Sequence, residues 1–125
     1  MAAPVSARVR TAHRAPDRPA IRVRSGEALT LGAHDTEWPQ FVWVVRADGL
    51  GGWIPDALCA RDAGDPTRAV ASDDYDTQEL DADAGDTLLL HHALAEWWWA
   101  EDRTGRRGWV PARVLAPPAP AGTID

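Results

Sequence analysis

A chain of 125 residues is long enough for one domain of ordinary size or two very small ones, and 45% hydrophobic residues supply apolar material for a core. Its 10 prolines and 10 glycines fall short of a low-complexity composition. Residues 1–60 carry seven Arg against six acids and residues 61–125 six Arg against thirteen, so the net charge of −6 sits in the second half and excludes nucleic acid as a partner, whose phosphates need Lys and Arg.

Residues 1–6 read as an N-terminal arm without the apolar run of a secretory signal, which predicts a cytoplasmic protein without a membrane span. A weakly marked strand follows over Ala7–Ala12, and Pro16-Asp-Arg-Pro19 reads as a stiff loop where the chain must turn. Ala28–Leu31, Phe41–Val45 and Gly52–Pro55 read as short strands, the last two joined by a tight turn at Asp48-Gly49. Cys59, the single cysteine, rules out an internal disulfide and reads as a structural thiol at the end of an apolar stretch. Ala60–Thr67 reads as a linker. Beyond it the strands recur over Thr87–Leu90, Trp97–Glu101 and Gly108–Pro111, with a turn at Thr104-Gly105. Residues 116–125 read as a flexible Pro-rich tail.

The recurrence is an internal repeat. Gly49-Leu-Gly-Gly-Trp53-Ile-Pro55 matches Gly105-Arg-Arg-Gly-Trp109-Val-Pro111, and Ile21 to Leu31 matches Leu80 to Leu90 around Gly26-Glu27 and Gly85-Asp86. Phe41-Val-Trp43-Val44 aligns with Trp97-Trp-Trp99-Ala100. Alternation along these strands sends Val44 and Ala100 to the core and Trp43 and Trp99 to the opposite face. Each of those two stands five residues from the hairpin centre, as do Trp53 and Trp109, which predicts the cross-strand pairs Trp43–Trp53 and Trp99–Trp109. Outward aromatic pairs form an apolar patch that another barrel, a second copy of the chain in a homodimer, or a ligand would cover.

From Arg68 to Leu115 the order Ala69-Val70, Asp73-Asp-Tyr-Asp76, Glu79-Leu80, Gly85-Asp86, Glu96-Trp97-Trp98 and Val110-Pro111 resembles an SH3 domain. The unit from Ala7 to Cys59, with Glu37-Trp-Pro39 and Gly52-Trp-Ile-Pro55, is similar to the bacterial variant SH3 type. The resemblance implies an all-β fold of two small SH3-like barrels in tandem, 7–59 and 68–115 joined by the linker 60–67 and packed on each other because each core is small. It also implies a non-catalytic adaptor that binds a protein or peptide without a cofactor. In that family an aromatic groove takes polyproline-II peptides and acidic loop residues pair with a ligand's Arg or Lys. Carried over, the ligand-binding residues are Asp73, Asp74, Tyr75, Asp76, Glu79, Trp97 and Pro111 in the second unit, and Phe41 and Pro55 in the first. The family's paired tyrosines fall on Ala71 and Asp73, which weakens the slots for a PxxP peptide. A cell-wall or glycan-targeting module and a structural interaction subunit are the alternative readings.

Adjacent His91 and His92 point to opposite faces of a strand, and His13 and His34 fall in loops, so no convergent zinc set is expected. The acids of 73–86 do not follow the spacing of a calcium loop. No serine sits in a nucleophile elbow, which leaves no expected catalytic residue.

Overall fold

The structure, a computed structural model, describes residues 5–117. It is all-β, with eleven strands and two single-turn 3-10 segments, Asp56–Leu58 and Ala112–Val114, and no α-helix among the described residues. The chain divides into two compact units, but not at the expected linker. The central unit is Arg18–Thr77; the split unit is built from Met1–Asp17 and Gln78–Asp125.

In the central unit β3 (Ala28–His34), β4 (Phe41–Val45), β5 (Gly51–Pro55), β6 (Cys59–Arg61) and β7 (Arg68–Ala71) form one antiparallel sheet in the order β5-β4-β3-β7-β6. The short strands β2 (Arg22–Val23) and β8 (Tyr75–Asp76) pair separately. Alternation buries Leu29 and Leu31 from β3, Val42 and Val44 from β4 and Ile54 from β5, with Ile21, Val23, Ala69 and Ala71 completing the core. The expected linker 60–67 is instead part of this sheet. Cys59, Ala60 and Arg61 pair with Ala71, Val70 and Ala69, and the connection is a turn pinned by Asp62 and Asp65 side chains on the N–H groups of Gly64 and Thr67.

The split unit orders its strands β1-β9-β10-β11, where β1 is Val5–Arg8, β9 is Thr87–Leu94, β10 is Trp97–Glu101 and β11 is Arg107–Pro111. Its core gathers Val9, Leu80, Ala82, Leu88, Leu90, Ala100, Val110, Val114 and Leu115. The N-terminal arm expected over 1–6 therefore ends in a strand: Val5, Ser6, Ala7 and Arg8 face Leu90, Leu89, Leu88 and Thr87. The expected tail is described only to Pro117 and otherwise lies outside the described residues.

The departure from the expected boundaries has one cause. Each repeat's opening strand completes the other repeat's sheet. Arg68–Ala71, expected to open the second barrel, pairs with Ala28–Thr30 of the first repeat, and the N-terminal strand pairs with the second repeat. Both opening strands place small apolar residues at alternate positions, Ala7 and Val9 in one, Ala69 and Ala71 in the other. Main-chain hydrogen bonding is indifferent to which repeat supplies such a strand. The exchange points are Asp17-Arg18 and Thr77-Gln78.

The hairpin turns follow the sequence closely. Gly49 and Gly105 take φ of +87° and +89°, the left-handed conformation a tight turn requires.

Candidate functional site

Trp97 opens β10 and faces Pro111 across the β10–β11 ladder. Trp97 is half-buried, while Pro111 is fully buried. Two further side chains converge there. His13, from the stretch after β1, is held by paired main-chain bonds with Ala82 (His13 N to Ala82 O 2.9 Å, Ala82 N to His13 O 3.0 Å). Its imidazole stands edge-on to the Trp97 ring at 5.6 Å between centroids and 78° between planes. Its Nε2 lies 2.8 Å from Glu79 Oε1, both side chains being largely but not wholly covered, at 16% and 20% exposure.

Glu79 is positioned by backbone. Trp109 N donates to Gln78 O at 2.9 Å and Leu80 N donates to Trp109 O at 3.1 Å, stitching 78–80 beside β11. That close approach needs Gly108, where a Cβ would come within 2.7 Å of both Glu79 C and Leu80 N. Further along the same limb Asp81 accepts from Ala15 N at 2.7 Å, and Asp83 pairs with Arg14.

Of the acidic residues expected with Trp97, Glu79 alone shares its unit. Asp73, Asp74, Tyr75 and Asp76 belong to the central unit, because the strand that carries them was exchanged. There they work locally. Asp74 accepts from Ser25 N at 2.7 Å, Asp76 from Arg22 Nε at 3.1 Å and Asp73 from Asp74 N at 2.8 Å. Tyr75 pairs with Val23 and packs against the central core. Phe41 and Pro55 also face each other, but Phe41 is 6% exposed and Pro55 is buried, so neither offers a surface slot in the central unit. Glu79, Trp97 and Pro111 thus remain together in the split unit, and His13 joins them.

Nothing local marks His13 as a site residue, since it lies 66 residues before Glu79 and falls within the span of the other repeat. The repeat alignment does locate it once the exchange is known. Ile21 matches Leu80, so Val23 matches Ala82, and their partners Tyr75 and His13 occupy equivalent positions.

The tryptophans form the cross-strand pairs. Trp43 and Trp53 stand 5.2 Å apart at 72°, Trp99 and Trp109 5.3 Å apart at 67°. The Arg18 guanidinium lies 5.4 Å from the Trp43 ring, and His92 sits edge-on to Trp109 at 5.4 Å. Trp43, Trp53 and Trp99 are half-buried and Trp109 is 5% exposed.

Among the described residues no three His, Cys, Asp or Glu side chains converge to hold a metal. His91 contacts Glu101 at 3.0 Å and His34 contacts Asp56 at 3.1 Å. Burial pushes the Cys59 thiol up, with the Asp56 charge adding to it, the opposite of what a nucleophilic thiolate needs. No helix of the described residues is long and apolar enough to cross a membrane.

Comparison with known proteins matches residues 73–112 to the SH3 domain family. A 45-residue stretch, 34% of the chain, is 45% identical to the myosin heavy chain IB of Acanthamoeba castellanii, of which it spans 4%. No solved structure gives a significant match. The segment matched to the SH3 family, a family of protein-interaction modules, carries Glu79, Trp97 and Pro111, and its opening residues lie in the central unit and the remainder in the split unit.

Proposed function

We propose that the chain is a peptide-binding adaptor whose split unit reads a proline-containing segment bearing an Arg or Lys, at the surface formed by Trp97, His13 and Glu79. The observation that carries this reading is the partly exposed Trp97 ring, inside the SH3 segment, with an imidazole edge and a carboxylate against it. Such a surface offers a flat ring for a proline and an anion for a basic side chain. The acidic second half of the chain favours a cationic ligand, by long-range attraction that salt screens. Pro111, opposite Trp97 in the ladder, is buried and leaves the contact to the ring itself. The central unit acts as a partner in the fold, its equivalent residues Phe41, Pro55 and Tyr75 being committed to packing.

Titration of labelled full-length protein with Arg-flanked proline-rich peptides tests the reading. The Trp97 indole and the His13 ring resonances are expected to shift together, and Trp97→Ala to lower affinity at least tenfold. Binding that leaves both rings unmoved would reject this site.

A further inference from the structure

The two opening strands are interchangeable in their geometry. In the split unit Val9 N donates to Asp86 O at 2.8 Å and Gly85 N to Val9 O at 2.7 Å. In the central unit Ala71 N donates to Glu27 O at 2.9 Å and Gly26 N to Ala71 O at 2.7 Å. Val9 and Ala71 are therefore the same position of the same motif, and Ser6 opposite Leu89 corresponds to Arg68 opposite Thr30. The exchange points correspond to within one residue, the first lying before Arg18 and the second after Thr77, which precede the matched Ile21 and Leu80 by three residues each. One exchange point is flanked by Pro16 and Pro19. Each proline fixes its own φ and holds the preceding residue extended, so this segment resists folding back on its own repeat. A short hinge that would be strained by folding back favours exchange of identical elements.

We propose that a second copy of the chain is a partner for the same exchange: residues 5–17 of one molecule complete the split unit of another, yielding strand-exchanged dimers. The acceptor is the β9 edge at Thr87–Leu90, and the occupant is the strand Val5–Arg8 with Val9. Within one chain the donor strand is tethered at an effective concentration on the order of millimolar. Dilute protein therefore closes on itself, and exchange between copies takes over when refolding is carried out near that concentration.

The test uses two full-length variants in a Cys59→Ala background, Ser6→Cys and Leu89→Cys, whose side chains face each other across β1 and β9. Co-refolded at about 1 mM and oxidised, they are expected to give a disulfide-linked heterodimer. The yield should fall at least tenfold when refolding is carried out at about 10 µM or when already folded samples are mixed. The double variant Ser6→Cys/Leu89→Cys is expected to close within one chain at low concentration. Closure of that double variant with no linked heterodimer at any refolding concentration would overturn the proposal. So would closure of Ser6→Cys/Thr30→Cys instead, which reports the opening strand paired within its own repeat. Linked dimers that form equally from folded samples would also overturn it, since collision alone would then account for them.

Discussion

At the scale of single residues, the acids of this chain mostly serve its own backbone. Asp102 closes the Asp102–Arg106 turn on the N–H groups of Thr104 and Arg106, and hydrogen bonding, first from the Thr104 hydroxyl, holds its carboxyl below the usual range. Asp56 is held down in the same direction, first by the hydrogen bond to His34 and then by Arg61 at 2.9 Å. A carboxylate depressed in the folded state stabilises the fold above its unfolded pKa of about 3.9, and the contribution is lost as pH falls through the lower folded value. Asp56→Asn is therefore expected to flatten the decline of stability below about pH 4, in denaturant melts recorded against pH. The effect will be small, because the side chain is 37% exposed and solvent screens it. His13 has a different standing. It was invisible in the sequence as a site residue because nothing local marks it. Its partners Glu79 and Trp97 are reached only through a strand pairing that the sequence leaves open.

At the scale of elements, the hairpins carry the structure and were the most legible part. The glycine at each β4–β5 and β10–β11 turn and the alternating apolar residues fixed strand, register and buried face together. Trp43 meets Trp53 and Trp99 meets Trp109 as the spacing requires. A double-mutant cycle with Trp43→Ala and Trp53→Ala, followed by chemical unfolding, is expected to give a coupling of about 0.5–1.5 kcal/mol. Gly108→Ala is expected to cost about 1–3 kcal/mol, because the atoms its methyl meets are backbone and cannot rotate away. Loss of the Glu79–Trp109 bridge in amide exchange would mark that change as local. The β9–β10 turn was less legible. Ala95 and Glu96 both take positive φ, 52° and 71°, and β9 runs on to Leu94, four residues past the expected end at Leu90. Neither residue type announces such a turn.

At the scale of the whole chain, fold class and repeat were legible and strand partnership was not. Composition and periodicity specify which residues form strands. They do not say which of two near-equivalent edges a strand joins, because the bonds are main-chain and the buried side chains, Val9 or Ala71, are both apolar and small. The expected boundaries 7–59 and 68–115 failed for that reason alone. The consequence is measurable. A fragment beginning at Arg68 contains the whole SH3 segment, yet it lacks Val9 and β1, which the split unit buries and pairs. It is expected to lose the cooperative unfolding and dispersed amide spectrum of the full chain. The same deficit is expected on deleting residues 1–17.

The exchange also dictates an order of events during synthesis. Residues 18–77 hold everything the central unit needs, so it can close as soon as Thr77 has emerged. The N-terminal strand must wait for its β9 partners, the last of them Leu90 opposite Val5, which at ordinary translation rates is a delay of roughly 4–17 s. Throughout the first part of that wait the β3 edge is vacant and within reach, and Arg68–Ala71 has not yet arrived to claim it. The nascent chain thus meets its wrong pairing before its right one, and Pro16 and Pro19, which hold their segment extended, work against that early pairing.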